Sequence, residues 1–278
     1  MSFERIAVSE FSTLKWAFEE DVAGFGALGF GAIGVCRQKL ADYGVEKGAE
    51  LLIERAMQVS SLQWAGGFTG ADGRSFVEAV EDAQSAVYEA ALLGADCLIV
   101  HGGGRNGHTN SHAMRLIRNA LRELTPLAQD YGIKLAIEPT HPVTGRDCSF
   151  VHQIDRAQEL IAEFGSHNVG LVCDTYEIGH LDACLRKLES AVDQICLIQI
   201  ADACYGQTEE PDRRIPGEGC LPLNEMISLL TAHGYDGFYE LELLGPELSH
   251  MAYETILARA RQAMSLIGAN LPSSQRQI

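Results

Sequence analysis

Acidic residues in this chain recur at one kind of place, the end of a short apolar run. Glu138 closes Ile133-Lys134-Leu135-Ala136-Ile137, with Pro139 directly behind it, and Asp174 closes VGLVC. Asp202 follows ICLIQIA, a run that also carries Gln199, and Glu240 and Glu242 alternate within FYELELL. Burying an unpaired carboxylate costs several kcal/mol, so such an acid needs a cation, a metal ion or a raised pKa. Pro139 marks where its run stops, because proline removes a ladder donor and rarely continues a central strand. If these acids converge, they cannot all be ionised without a counter-charge. A hard divalent cation bound through oxygen (Mg²⁺, Mn²⁺ or Co²⁺) is the economical answer. The competing arrangement leaves each acid capping the helix that follows it, or paired with an arginine.

The elements that would position these residues alternate along the chain. Strands are expected over 5–9, 32–36, 58–62, 97–100, 133–137, 169–173, 195–200 and 237–243. Helices are expected over 19–28, 46–56, 75–93, 111–131, 152–164, 181–188, 222–233 and 250–267. Strands two to seven are apolar with little alternation, as expected where both faces of a parallel sheet are buried. A single (β/α)8 TIM barrel over 1–269 is the simplest closure, with the polar stretch 270–278 a disordered tail. An open doubly wound sheet lacks its dinucleotide fingerprint at the first turn.

In a barrel, ligands meet the C-terminal strand ends, where the acids stand. Strand residues two apart share a face, so Glu242, Glu240 and Phe238 point the same way, with Glu242 nearest the mouth. Arg213 and Arg214 follow strand seven and either grip a substrate oxygen, balance the acids or lie on the surface. His101 and His180 follow strands four and six. The loop 63–73 (QWAGGFTGADG) reads as a lid, a pocket wall or a plain surface loop, and its Trp64 and Phe68 line a sugar face or fill the rim. Gly102-Gly103-Gly104 lacks the rest of a phosphate-binding motif.

Composition excludes other classes. A formal charge of −17 argues against a nucleic-acid partner. No run approaches the roughly 20 apolar residues of a membrane span. The first residues show no basic start followed by an apolar core, so no signal peptide is expected. None of the eight cysteines is in C-x-x-C spacing, and Cys97, Cys173 and Cys196 sit in apolar runs. That pattern is expected of reduced, buried thiols in a cytoplasmic protein.

With LGADCLIVHGG, GIKLAIEP, VGLVCDTY, ICLIQIADA, RRIPGEGCLPL and GYDGFYELELLG in this order, the chain resembles the xylose isomerase-like TIM-barrel superfamily. The likeness is to its sugar phosphate isomerase/epimerase branch and covers nearly the whole chain. The resemblance implies a divalent-metal site on Glu138, Asp174, Gln199 and Glu242, with Glu138 and Glu242 also serving as the acid/base pair. Gln199 replaces the usual histidine of an H-x-x-D pattern whose aspartate, Asp202, is kept. An amide carbonyl shifts the preference toward Mg²⁺ or Mn²⁺ and away from Zn²⁺. Glu177 stands where many members carry a substrate-binding histidine.

The implied activity is isomerisation or epimerisation of a ketose, aldose or keto-polyol through an enediolate, with His101, Glu177, Asp202, Arg213 and Trp64 contacting the sugar. The two departures keep open a dehydratase or lyase of a keto-sugar, inosose or keto-glycoside. An AP-endonuclease-like nuclease fits the acidic charge poorly, and a non-catalytic sugar-binding barrel is the remaining alternative. The sequence leaves the oligomeric state open, and the resemblance alone implies a homo-oligomer, a homodimer or tetramer.

Overall fold

A computed structural model describes residues 5–164, 167, 169–179, 183–204 and 212–270. His180 and the tail 271–278 lie outside the described residues. The strands are β1 (Ile6–Ser9), β2 (Ala32–Cys36), β3 (Gln58–Gly66), β4 (Cys97–His101), β5 (Lys134–Ile137), β6 (Val169–Asp174), β7 (Ile195–Ile200), β8 (Asp202–Ala203), β9 (Arg213–Arg214) and β10 (Phe238–Leu241). The α-helices are α1 (Phe18–Ala27), α2 (Arg37–Tyr43), α3 (Val45–Glu54), α4 (Phe76–Leu93), α5 (Asn110–Asp130), α6 (Ile154–Phe164), α7 (Thr175–Gly179), α8 (Cys184–Ala191), α9 (Leu223–Ala232) and α10 (Tyr253–Asn270). Eight strands close a barrel in the order β1-β10-β7-β6-β5-β4-β3-β2. Every neighbouring pair is parallel, and β8 and β9 form a separate antiparallel ribbon.

Two apolar layers follow from the period of two along each strand. Leu98, Val100, Leu135, Ile137, Leu171, Ile198, Ile200 and Leu241 share a buried cluster with helix residues such as Val87, Leu121, Leu160 and Leu257. Cys97, Ile99, Ala136, Val172 and Leu197 form a second cluster inside the barrel, with Phe238 against it. One period further on, these inner positions become His101, Glu138, Asp174, Gln199 and Glu240. The barrel is therefore plugged with hydrocarbon below and polar at its mouth. The amides of Glu138 and Glu242 extend the ladder one residue past their strands, to the carbonyls of Val100 (3.4 Å) and Ile200 (3.2 Å). That holds both acids in strand geometry.

Local signals end the helices where expected. Ser75 and Glu78 cap α4 reciprocally, and Gly94 ends it with φ +63°. Of the segment 63–73, read as a lid, a pocket wall or a plain surface loop, the first part is strand. β3 runs on to Gly66, which pairs with His101, and Phe68 is buried in the outer core. Gly66 is required there, since a Cβ would overlap the His101 carbonyl oxygen and φ is +139°. Trp64 therefore stands on the barrel wall. The short α2 and α7 and the β8–β9 ribbon are additions to the expected pattern. Each is too brief to show a hydrophobic period. All eight thiols are free. No helix among the described residues is long and apolar enough to cross a membrane.

The turn after β1 is pinned by a buried acid pair. Glu10 Oε2 accepts the Cys36 amide at 2.6 Å, while Lys39 Nζ meets Asp21 Oδ2 at 2.5 Å and the Thr13 carbonyl at 2.9 Å. Burial, then the neighbouring Asp21, pushes the Glu10 carboxyl well above its ordinary 4.5. The folded state thus prefers a proton that the unfolded chain gives up near that ordinary value. The contribution to stability is complete below it and is lost as pH rises toward the folded value. Glu10→Gln keeps an acceptor for Cys36 and removes the titration. In urea unfolding it should exceed the wild type in stability at about pH 8, with the gap closing by about pH 4. A gap independent of pH would count against this account.

Candidate active site

One rung of the barrel sets the site. Asp174, Gln199 and Glu240 are paired across β6, β7 and β10, and all three are fully or almost fully buried. Glu242 lies one layer above Glu240 and is partly exposed, as the strand period requires. Thr175 Oγ1 ties the ends of β6 and β7 together, donating to the Ala201 carbonyl at 2.7 Å and accepting its amide at 2.9 Å.

Among the described residues, a single guanidinium reaches into this group. Arg213 Nη2 contacts Asp174 Oδ2, and lies 3.2 Å from Glu242 Oε1 and 3.4 Å from Glu177 Oε1. Its Cζ sits 4.6 Å from the centre of the Tyr176 ring, a cation–π position. The β8–β9 ribbon delivers it, and Asp202 builds the ribbon. The Asp202 oxygens accept the amides of Ala203 (2.8 Å), Gly217 (2.9 Å) and Leu221 (3.0 Å). Asp202, expected to contact substrate, has its carboxylate engaged by these loop amides. Arg214 pairs with Asp212 and Glu247 at the surface. Glu177, on α7, accepts the His141 amide with its other oxygen.

Charge balance in the mouth is poor. Burial pushes Glu242 and Glu177 up to about 8, and Arg213 opposes that shift while the neighbouring acids add to it. Burial also raises Asp174, again against the pull of Arg213. On the opposite arc, His101 Nε2 meets Glu138 Oε2 at 2.6 Å, and the His101 ring lies 5.3 Å from the half-buried Trp64 ring.

Gln199 donates both amide protons, to Glu242 Oε2 at 2.8 Å and to Glu240 Oε1 at 3.0 Å. Its carbonyl oxygen is buried and accepts nothing among the described residues. Ser9 Oγ approaches Glu242 Oε2 at 3.2 Å and Gln63 Oε1 at 3.0 Å. Sequence reasoning passed over Ser9, Ser60, Ser61 and Gln63. Their signal was polar residues inside otherwise buried strands, readable only once those strands are known to face the barrel axis.

A xylose isomerase-like TIM barrel profile matches residues 23–267. The chain belongs to that family. Inosose isomerase of Halalkalibacterium halodurans is 30% identical over 155 residues, which is 54% of each chain. Fructoselysine 3-epimerase of Shigella flexneri is 25% identical over 162 residues, 58% of this chain and 55% of its own. The matched stretch thus spans about half the length of these relatives. The crystal structure of the IolI protein with a bound zinc atom superposes with a TM-score of 0.83 at 20% identity, covering 97% of this chain and 99% of that one.

The xylose isomerase-like fold brings a divalent cation into question, and the donors present fit one in chemistry. Glu138, Asp174 and Glu242 supply carboxylates, and Gln199 supplies a buried carbonyl oxygen with no other partner. Arg213 lies against two of those carboxylates. Among the described residues, no group of three or more His, Cys, Asp or Glu is drawn together as ready metal ligands.

Removing the Arg213 charge leaves buried carboxylates uncompensated. Arg213→Gln should therefore lower stability at neutral pH by about 3 kcal/mol, whereas Arg214→Gln should change it little. Chemical unfolding of both variants checks this, and equal losses would overturn the central place given to Arg213.

Proposed function

We propose that this chain is an isomerase or epimerase of a keto- or aldo-sugar or a keto-polyol, acting on a carbon-bound proton beside a carbonyl. The observation that carries the reading is the placement of two carboxyl groups. Glu138 follows β5 and Glu242 follows β10, with β6 and β7 between them in the barrel, so they approach a substrate in the mouth from different sides. Glu138 is steadied by His101, and Glu242 by Arg213, Gln199 and Ser9. In this reading Glu138 removes a proton from one face of the carbon and Glu242 returns one to the other. The Trp64 face beside His101 offers an apolar wall to the C–H side of a sugar. The reaction classes of the inosose isomerase and fructoselysine 3-epimerase relatives agree with it.

Glu138, Asp174, Gln199 Oε1 and Glu242 would hold the divalent cation. When bound, that cation supplies Lewis-acid stabilisation to adjacent substrate oxygens and to the negative charge of an enediolate. An oxygen-only donor set favours Mg²⁺ or Mn²⁺ over the zinc found in the IolI structure. Arg213, in contact with Asp174 and Glu242 of that donor set, shares in balancing its charge, and Glu177 holds Arg213 in place.

Two measurements test this. In D₂O, a panel of ketoses and inososes should show solvent-deuterium incorporation at the carbon next to the carbonyl. Glu138→Gln should slow it by about 100-fold or more. Unchanged incorporation would remove Glu138 from the reaction, and a product lighter by one water would make the enzyme a lyase. Separately, adding Mn²⁺ to EDTA-treated protein should raise its Tm, by an amount that grows with metal concentration. Asp174→Asn should lose most of that gain. A Tm indifferent to Mg²⁺, Mn²⁺ and Co²⁺ would discard the cation.

A further inference from the structure

On the same rung as Gln199 and Asp174 stands a fully buried glutamate, Glu240, that the reaction above does not use. Glu240 Oε2 accepts Ser60 Oγ at 2.6 Å and Ser61 Oγ at 2.7 Å. Its Oε1 accepts Gln63 Nε2 at 2.6 Å and Gln199 Nε2 at 3.0 Å. No Lys or Arg among the described residues pairs with it; four neutral donors surround it instead. That is a full complement, since an ionised carboxylate is acceptor-only, with about four lone-pair directions. Gly34 clears the space on the next strand but one, where a Cβ would overlap both Glu240 carboxyl oxygens.

An acceptor-only partner forces each glutamine to turn its NH₂ toward it. The consequences differ for the two. Gln63 has its carbonyl oxygen satisfied by Ser9 at 3.0 Å. Gln199 spends its second N–H on Glu242 at 2.8 Å, and its carbonyl oxygen is left buried without a partner. Reversing the Gln199 amide would cost both hydrogen bonds and set an oxygen against two carboxylates. A buried acceptor with this fixed direction points to a ligand that is itself electron-poor.

We propose that Glu240 is a positioning residue: it orients the Gln199 amide so that the carbonyl oxygen, and not the NH₂, is presented to the cation. This rests on the cation site proposed above. Gln199 then serves as a ligand only because Glu240 lies beside it on β10, in the way an outer carboxylate orients a ligating histidine elsewhere. The length of the glutamate matters as well as its charge, since the carboxylate must reach Gln199 on the neighbouring strand.

The test is Mn²⁺ binding to the purified full chain, followed by the electron paramagnetic resonance of free Mn²⁺ and by calorimetry. Wild type should bind, and Glu240→Gln should bind about 10- to 100-fold more weakly, because a glutamine there can donate to the Gln199 carbonyl and turn it away. Glu240→Asp preserves the charge but withdraws the carboxylate, and should also bind more weakly. In a Gln199→Ala background, Glu240→Gln should add no further loss, which a double-mutant cycle measures.

If Glu240→Asp binds like wild type, or if Glu240→Gln costs as much with Gln199 as without it, Glu240 acts only as a nearby charge and the inference falls. Should Glu240→Gln fail to fold, Glu240→Asp decides the matter alone. Absence of Mn²⁺ binding by the wild type would instead overturn the cation site itself, and the positioning role with it.

Discussion

Among the described residues, the mouth of this barrel gathers more buried carboxyl groups than cationic side chains to meet them. Glu138, Asp174, Glu177 and Glu240 are buried and Glu242 nearly so, yet one guanidinium, that of Arg213, enters among them. Much of the local architecture answers that imbalance. The β8–β9 ribbon exists to bring in Arg213, and Asp202 exists, in structural terms, to shape the ribbon. Glu177 and Tyr176 hold the arginine from the α7 side. Burial is what raises the titration of Glu177 and Glu242, and the pull of Arg213 only partly opposes it.

The acids are handled differently even where they share a rung. Glu240 is surrounded by neutral hydroxyl and amide donors and is built into the barrel as an acceptor. Asp174, on the same rung, meets with Glu177 and Glu242 a single guanidinium brought in on β9. Glu138 meets an imidazole. Hydrogen bonds to a charged donor are the stronger kind, so the two arrangements hold their carboxyl groups in physically different ways.

Much of the fold was legible beforehand because its signals are local. The apolar runs that became β2, β4, β6 and β7 lie close to their expected bounds, since strands buried on both faces show up as plain hydrophobic segments. The acids at strand ends were legible for the same reason, being polar residues where an apolar run stops. The sequence signal of β3 stops short of its end, because Gln63-Trp64-Ala65-Gly66 looks like a loop until Gly66 is found paired with His101. The pairing of acid with arginine, left open as one of two outcomes, holds for Asp174 and Glu242 alongside a donor set that also fits a cation.

From its own letters, then, the chain determines a parallel barrel of alternating strands and helices with Glu138, Asp174, Glu240 and Glu242 directed along one axis, because a two-residue period and an apolar run are enough to state facing and order. Which partner each acid receives was decided only by the tertiary structure. Arg213 is 39 residues from Asp174, and Gln63 is 177 from Glu240. No local pattern encodes contacts that arise when a sheet closes on itself, so the loop amides gathered by Asp202 and the four neutral donors around Glu240 became visible only in three dimensions.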